Sequence, residues 1–318
     1  MTKTKIEWAD RIWNPVTGCT RVSEGCRNCY AFRIHDMRHE AYVNGKSVPI
    51  QYKKSFSAIQ TFEDRIDQPL RWKKPSRIFV NSMGDLFHQD VPDSFIGGVF
   101  GVMAEAHWHT FIVLTKRAER LKQWSKCVTH YPSGDRSEKP IAGWPPNVWI
   151  GISVEDQITA AERIPYLLEV DAAVRVVSYE PALGPVDFSN WVKKSIYTHT
   201  CVSIAGALKS RNEAEQFLRA ALESGKRVIP ANDCNKFDYT TGCRGHQANR
   251  LDWIICGGES GPNARPMHPD WARAARDQCQ LAGVPFFFKQ HGGQIDKGGR
   301  VLDGRTHDDF PEQTVIEV

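Results

Sequence analysis

Six short apolar runs, each followed by polar or glycine-containing residues and then by a helical pattern, dominate this 318-residue sequence. The runs lie at residues 77–80, 110–114, 148–152, 174–177, 253–256 and 284–288. Continuous apolar character is typical of strands covered on both faces, and strands that alternate with helices favour a parallel sheet. We therefore predict an α/β fold, a partial or complete parallel βα barrel of the TIM-like type over residues 1–318, with an inserted segment.

The intervals between these runs predict helices and two interruptions. Helical periodicity predicts helices at residues 92–107, 156–170 and 269–282, and Asp270 is expected to cap the last of them. Residues 131–146 are rich in Pro, Gly and charge, which predicts a surface loop. Residues 190–250 are predicted to be a longer insertion that contains a helical segment at 211–224.

The composition indicates the cellular compartment of the protein more than it indicates the function. Lys and Arg number 41 against 37 Asp and Glu, a balance that permits a polyanionic partner without indicating one. No apolar run is long enough to span a membrane, and the first residues lack the apolar core of a signal peptide. We expect a cytoplasmic protein without a membrane partner. In that reducing compartment, clustered cysteines are more often metal ligands or catalytic groups than disulfides.

Near the start of the chain are three closely spaced cysteines, which we call the three-cysteine loop: Cys19, Cys26 and Cys29. Three thiolates that meet at one inorganic centre leave one of four ligand positions open. Gly18 and Gly25 each precede a cysteine, which lets the backbone wrap closely around such a centre. Thiolates suit a [4Fe–4S] cluster and zinc alike, and His35 or His39 would be the fourth ligand of a zinc site.

A second group of soft ligands lies within the insertion: Cys234, Cys243 and His246. The Cys-x-x-His spacing with an upstream cysteine is typical of a zinc site that lacks one member. Asp233, Asp238 or Cys201 would complete it. This group predicts zinc or an auxiliary cluster, and the alternative is an ordinary glycine-containing loop.

Polar side chains follow each predicted strand. In a βα barrel the carboxyl ends of the strands form one mouth, so these strand tails are expected to meet at a common site. The polar tail residues that we select are Ser82, Asp85, Lys116, Ser153, Glu155, Glu180 and Glu259.

Several runs of the sequence carry a family resemblance: WNPVTGC at 13–19, SMGDLFH at 82–88, LTKR at 114–117, GISVE at 151–155, EPALGP at 180–185 and GGESG at 257–261. They resemble the signatures of a phage- and prophage-associated family of three-cysteine proteins of unknown function that are described as radical-SAM-like. The order of the cysteine spacings is similar to that of the cysteine loop of radical S-adenosylmethionine (SAM) enzymes. The resemblance implies a radical-SAM-type barrel whose three cysteines hold a [4Fe–4S] cluster, with SAM on the fourth iron.

The resemblance also implies roles for the strand tails. The cofactor-binding candidates are Ser82, Met83, Asp85, Ser153 and Glu259, with the first three at the methionyl end of SAM. The catalytic candidates are Lys116, Glu155 and Glu180. Cations and carboxylates at these places suit the charged groups of SAM and its ribose hydroxyls.

The leading hypothesis is a radical-SAM-type iron–sulfur enzyme that cleaves SAM to start radical chemistry and therefore needs an electron donor. Its expected substrate is a nucleotide or nucleic acid, because basic and aromatic side chains are interleaved around the mouth. These are Lys116, Arg117, Arg120, Lys289 and His291, with Phe87, Trp149 and Tyr179. One alternative is a non-redox module, organised by zinc, that binds nucleic acid or a partner protein. The other is a metal-dependent hydrolase or nuclease whose oxygen ligands are Asp85, Glu155, Glu180 and Glu259.

Overall fold

The structure is a computed structural model that describes residues 4, 6–126, 144–193 and 250–312, together with two short strands inside the insertion. The chain divides into two compact units, Met1–Val192 with Leu251–Val318, and Lys193–Arg250. In the second unit, the strands Phe237–Asp238 and Gly242–Cys243 pair antiparallel. The predicted helix at 211–224 and most of the predicted loop at 131–146 lie outside the described residues.

A seven-stranded parallel sheet forms the framework of the first unit. Numbered in chain order over all eleven strands, its members are β1 (Arg11–Trp13), β4 (Arg77–Val80), β5 (Thr110–Thr115), β6 (Val148–Val154), β7 (Val174–Tyr179), β10 (Trp253–Gly257) and β11 (Phe286–Gln290). They lie side by side in that order, and β1 and β11 are the two edges. The predicted α/β fold is confirmed as a partial parallel barrel that does not close.

The remaining strands are small. The strands β2 (Val16–Thr17) and β3 (Gln60–Thr61) pair antiparallel, and β2 directly precedes the three-cysteine loop in sequence. The two strands of the insertion are β8 and β9.

Six helices are described: α1 (Tyr30–Val43), α2 (Asp93–Glu105), α3 (Ala118–Lys126), α4 (Gln157–Leu168), α5 (Ser189–Val192) and α6 (Pro269–Ala282). The predicted helices at 92–107, 156–170 and 269–282 are present, and the sequence analysis does not predict α1, α3 or the short α5. The expectation that Asp270 caps α6 is wrong. Pro269 occupies the first helical position, so the cap falls on His268, whose Nδ1 accepts a hydrogen bond from the Asp270 backbone N–H.

The two faces of the sheet bury different residues. One face packs against α2, α3, α4 and α6 through alternate strand residues such as Val80, Val113 and Ile152. The other face holds a smaller cluster that includes Trp8 and Trp253. The Trp8 ring meets Phe79 edge to face, with 4.8 Å between ring centroids. The segment before β1 therefore fills the side of the sheet that the helices leave uncovered.

Within the part of the chain that the structure describes, every helix falls short of the length and apolarity needed to cross a membrane.

Candidate functional site

A cavity of about 660 Å³ lies at the carboxyl ends of the parallel strands. Its lining includes the three-cysteine loop and the strand tails: Cys19, Cys26, Cys29, Ser82, Asp85, Lys116, Ser153, Glu180, Glu259 and Lys289. This volume is in the range of small-molecule and cofactor sites. The structure thus brings six of the eight cofactor-binding and catalytic candidates to one cavity with all three cysteines.

The other two selected residues lie elsewhere. Met83 lines a separate cavity of about 60 Å³, and its backbone N–H donates to Asn14 Oδ1 at 3.0 Å. Glu155 is 1% exposed and lies behind the three-cysteine loop. The Ser23 hydroxyl donates to Glu155 Oε1 at 2.8 Å, and Arg163 Nη1 lies 3.2 Å from Glu155 Oε2. Lys116 Nζ forms a short ion pair with the same carboxylate.

The three-cysteine loop depends on its glycines at two close approaches. Gly18 has φ +100°, and a Cβ there would lie 2.8 Å from the Ala58 carbonyl oxygen, so glycine is required. A Cβ on Gly25 would lie 2.7 Å from Glu155 Cδ. The loop is therefore packed directly against the buried carboxylate of Glu155.

Two cations lie beside the sulfur atoms of this loop. Arg117 Nη1 is 3.7 Å from Cys19 Sγ. Burial raises the pKa of Cys19 to about 11, and the Asp85 carboxylate adds to that rise. Burial alone would also raise the pKa of Cys26, but the Lys116 ammonium and hydrogen bonds from residues 22 and 23 lower it below its ordinary value. Taken together, burial, the neighbouring charges and the hydrogen bonds therefore favour the thiolate of Cys26, but not that of Cys19.

Each strand-tail carboxylate is already paired with a cation. Arg117 Nη1 lies 2.7 Å from Asp85 Oδ2, Lys289 Nζ lies 2.9 Å from Glu180 Oε1, and Arg265 Nη2 lies 2.7 Å from Glu259 Oε1. Burial would raise the pKa of Glu259, but its hydrogen bonds from Arg265 and Asn28 lower it. Carboxylates neutralised in this way are poor ligands for a hard cation, so the geometry disfavours the hydrolase alternative.

Within residues 6–126, 144–193 and 250–312, no group of three or more His, Cys, Asp or Glu side chains is arranged to hold a single metal ion. The cysteines of a [4Fe–4S] cluster each bind a different iron, so they surround a space and do not converge on one point as zinc ligands do. Three thiols that line one cavity are the donor set that a [4Fe–4S] cluster with one open iron requires.

The two histidines expected as a fourth zinc ligand have other partners. His35 Nε2 is 2.9 Å from the Gln51 carbonyl oxygen, and His39 Nδ1 is 2.8 Å from the Tyr52 carbonyl oxygen. His35 lines the small separate cavity with Met83. The expectation that either histidine completes a site with the cysteines is not supported by these positions.

The basic and aromatic residues expected around the mouth separate into two sets. Lys116, Arg117 and Lys289 line the cavity. Arg120 instead reaches the Val91 carbonyl oxygen at 2.7 Å, and His291 Nε2 lies 2.8 Å from the Val301 carbonyl oxygen. The expected stacking aromatics are wrong, because they are core residues with at most 3% exposure: Phe87, Trp149 and Tyr179.

A group of hydrogen bonds between Asn28, Glu259 and Arg265, which we call the latch, also holds the three-cysteine loop, and no sequence motif indicated it. Asn28 Nδ2 donates to Glu259 Oε2 at 3.0 Å and to the Asn263 carbonyl oxygen at 2.8 Å. Arg265 Nη2 donates to the Glu24 carbonyl oxygen at 2.9 Å. Glu259 therefore fixes the loop through Asn28 and Arg265, which is a positioning role that its place in the GGESG run did not indicate.

The second ligand group cannot be located in the same way. Cys234 and His246 lie outside the described residues, and so do Cys201 and Asp233. Only the backbone of Cys243 and Asp238 is described, in β9 and β8. Zinc or an auxiliary cluster at this group stays a prediction.

Fold and site together define an α/β protein with a partial parallel barrel and a cysteine-lined cavity at the carboxyl ends of its strands. The chain belongs to the family described as "Protein of unknown function (DUF5131)", whose model matches residues 3–311. No curated protein matches the chain. The solved structure titled "Spore photoproduct lyase complexed with dinucleoside spore photoproduct" is similar at 10% identity and a TM-score of 0.34. The match covers 88% of this chain but 62% of that one, which is less than two thirds of its length.

Proposed function

We propose that this protein is a radical-SAM-type iron–sulfur enzyme. The observation that carries the proposal is that all three cysteines of the loop line the same cavity as the polar strand tails. No fourth cysteine among the described residues lines this cavity, so a cluster held here keeps one iron for another ligand. Phage association stays a prediction from the sequence.

In this proposal Cys19, Cys26 and Cys29 hold a [4Fe–4S] cluster. When bound, the cluster supplies the electron for reductive cleavage of SAM, which starts radical chemistry on a substrate. The chain prepares the thiolates with charge: Lys116 favours ionised Cys26, and Arg117 lies 3.7 Å from Cys19 Sγ.

The remaining residues of the cavity bind and orient. Ser82 and Ser153 offer hydroxyls, and the Glu180–Lys289 pair offers an acceptor and a donor to the charged and polar groups of SAM or of the substrate. Asp85 acts through Arg117, with Thr115 Oγ1 donating to Asp85 Oδ1 at 2.7 Å. Glu155 and Glu259 position the loop from two sides.

The substrate class in this proposal is a nucleotide or nucleic acid, and the reaction needs an external electron donor. Lys116, Arg117 and Lys289 line the cavity. Each is paired with a carboxylate, and their remaining N–H groups are donors that suit a phosphate-bearing ligand. A partner protein is one source of the electron.

Anaerobic reconstitution with iron and sulfide tests the proposal. The wild type is expected to take up about four irons per chain, with acid-labile sulfide in equal amount. Cys26→Ala is expected to lose most of this iron. Cys279→Ala is the matched control, because Cys279 is a fully buried cysteine of α6 that does not line the cavity. Uptake of zinc alone, or equal iron in the two variants, contradicts the proposal.

A further inference from the structure

The net positive charge of the chain is concentrated in one stretch that the sequence analysis did not single out. Residues 27–54 contain six Lys and Arg but only two Asp and Glu, so their balance of +4 equals that of the whole chain. The rest of the chain is therefore electrically balanced. The six cations, which we call the basic surface, are Arg27, Arg33, Arg38, Lys46, Lys53 and Lys54.

All six cations of the basic surface are exposed. In the described parts of the chain, none of them forms an ion pair. Some cations elsewhere are paired, since Arg71 pairs with Asp67 at 2.6 Å and Arg273 pairs with Asp303 at 2.8 Å. Unpaired positive charge on one surface produces a local field that attracts polyanions.

The basic surface is continuous with the cavity. Helix α1 begins at the residue after Cys29, and Arg33 in its first turns lines the cavity. The hydrogen bonds of His35 and His39 to the carbonyl oxygens of residues 51 and 52 hold the segment that ends in Lys53 and Lys54 against this helix. Helix α1 has 14 residues and is therefore about 21 Å long, so the basic surface extends away from the cavity along this helix.

Partly exposed aromatic rings lie on the same stretch. Tyr30 is 43% exposed and Tyr42 is 40% exposed. Nucleic-acid strands are commonly held by cations that follow the backbone and by aromatic rings on which bases stack. Exposed apolar residues also occur here, Met37 and Ile50 among them, so an anionic membrane is the competing occupant that a test must include.

We propose that the basic surface binds a nucleic-acid strand and leads it to the cavity. This inference deepens the proposed function, because it names a polymer, and not a free nucleotide, as the substrate class of that site. Binding itself requires neither cluster nor SAM. The two proposals can therefore fail separately.

Fluorescence anisotropy of a labelled oligothymidylate of about 15 nucleotides measures this binding in the full chain without iron or SAM. The informative variant is K53A/K54A. The matched control is K73A/K74A, which removes two adjacent exposed lysines at the opposite, amino end of β4. Both variants change the net charge equally, so only the position of the lysines distinguishes them.

The expected result is a difference in salt dependence. Each lost phosphate contact makes the negative slope of log K against log salt less steep by about 0.7 for a single strand. The slope of K53A/K54A is therefore expected to be about 1.4 less steep than that of the wild type between about 50 and 200 mM salt. K73A/K74A is expected to keep the wild-type slope. Equal slopes in the two variants, no saturable binding at low salt, or tighter binding to phosphatidylserine vesicles than to the oligonucleotide overturns the proposal.

If the wild type takes up no iron in the reconstitution experiment while the slope difference is intact, the enzyme proposal is overturned and the nucleic-acid surface stands. If the wild type takes up iron and the slopes of K53A/K54A and K73A/K74A are equal, only the nucleic-acid surface is overturned.

Discussion

Glu155→Gln tests whether a buried carboxylate anchors the three-cysteine loop. Glu155 is 1% exposed and faces Lys116 and Arg163, whose side chains are 17% and 5% exposed. Glutamine keeps the size of the side chain and can still accept the hydrogen bond from Ser23, but it removes the negative charge. Two poorly solvated cations then lose their counter-ion.

The expected cost follows from this burial. Removing one partner of a buried ion pair costs about 3–5 kcal/mol, because the remaining charge is left uncompensated. The Lys122–Glu169 pair is the matched control, with N–O distance 2.6 Å and Glu169 48% exposed. An exposed pair of this kind is worth about 0–1 kcal/mol, so Glu169→Gln is expected to change stability little.

Urea denaturation of both variants, followed by circular dichroism, measures the free energies of unfolding. We expect Glu155→Gln to lose several times more stability than Glu169→Gln, and to bind less iron on reconstitution because Ser23 and Gly25 of the loop rest on Glu155. If the two variants lose similar stability, or if Glu155→Gln stays within about 1 kcal/mol of the wild type, the anchoring role is refuted.

Two further predictions concern the other supports of the cavity. A Cβ on Gly258 would lie 2.6 Å from the His291 carbonyl carbon, so Gly258→Ala is expected to cost about 3 kcal/mol in thermal or urea unfolding. Gly97 of α2 has no such neighbour, so Gly97→Ala is expected to stabilise the protein by about 0.5–1 kcal/mol. Equal effects of the two substitutions would contradict the steric clash inferred at Gly258. Arg265 and Asn28 lower the pKa of Glu259 from its ordinary 4.5, so this carboxylate stabilises the fold above that pH and loses its contribution as the pH falls below it. The stability difference between the wild type and Glu259→Gln, measured by urea denaturation at neutral and acid pH, is therefore expected to shrink on acidification, and a constant difference would count against the latch.

The strands could be predicted where the sequence is continuously apolar. Strands β4, β5, β6, β7 and β10 begin at the predicted residues, because both of their faces are covered. The last strand begins at Phe286 and not at residue 284, since Pro285 has no N–H to donate to a ladder. Strand β1 escaped prediction because it has three residues, one of them the 39% exposed Ile12. Helix α1 escaped because it buries only Ala31 and His35, which leaves no apolar stripe.

The candidate site could be predicted only in part for a similar reason. The edge at which the strand tails meet follows from parallel strand order alone. Strand order does not determine which way a side chain points. Phe87 and Tyr179, which the sequence analysis expects at the mouth, lie in the core. The latch joins Asn28 to Glu259, which are 231 residues apart, and no local pattern reports such a contact.

The most direct test of the account is the electron paramagnetic resonance spectrum of the reconstituted, reduced protein before and after addition of SAM. In the proposed enzyme three cysteines leave one iron free for SAM, so we predict a [4Fe–4S] signal that changes when SAM is added. A reduced cluster whose signal is the same with and without SAM, or a protein with no cluster signal at all, would contradict it.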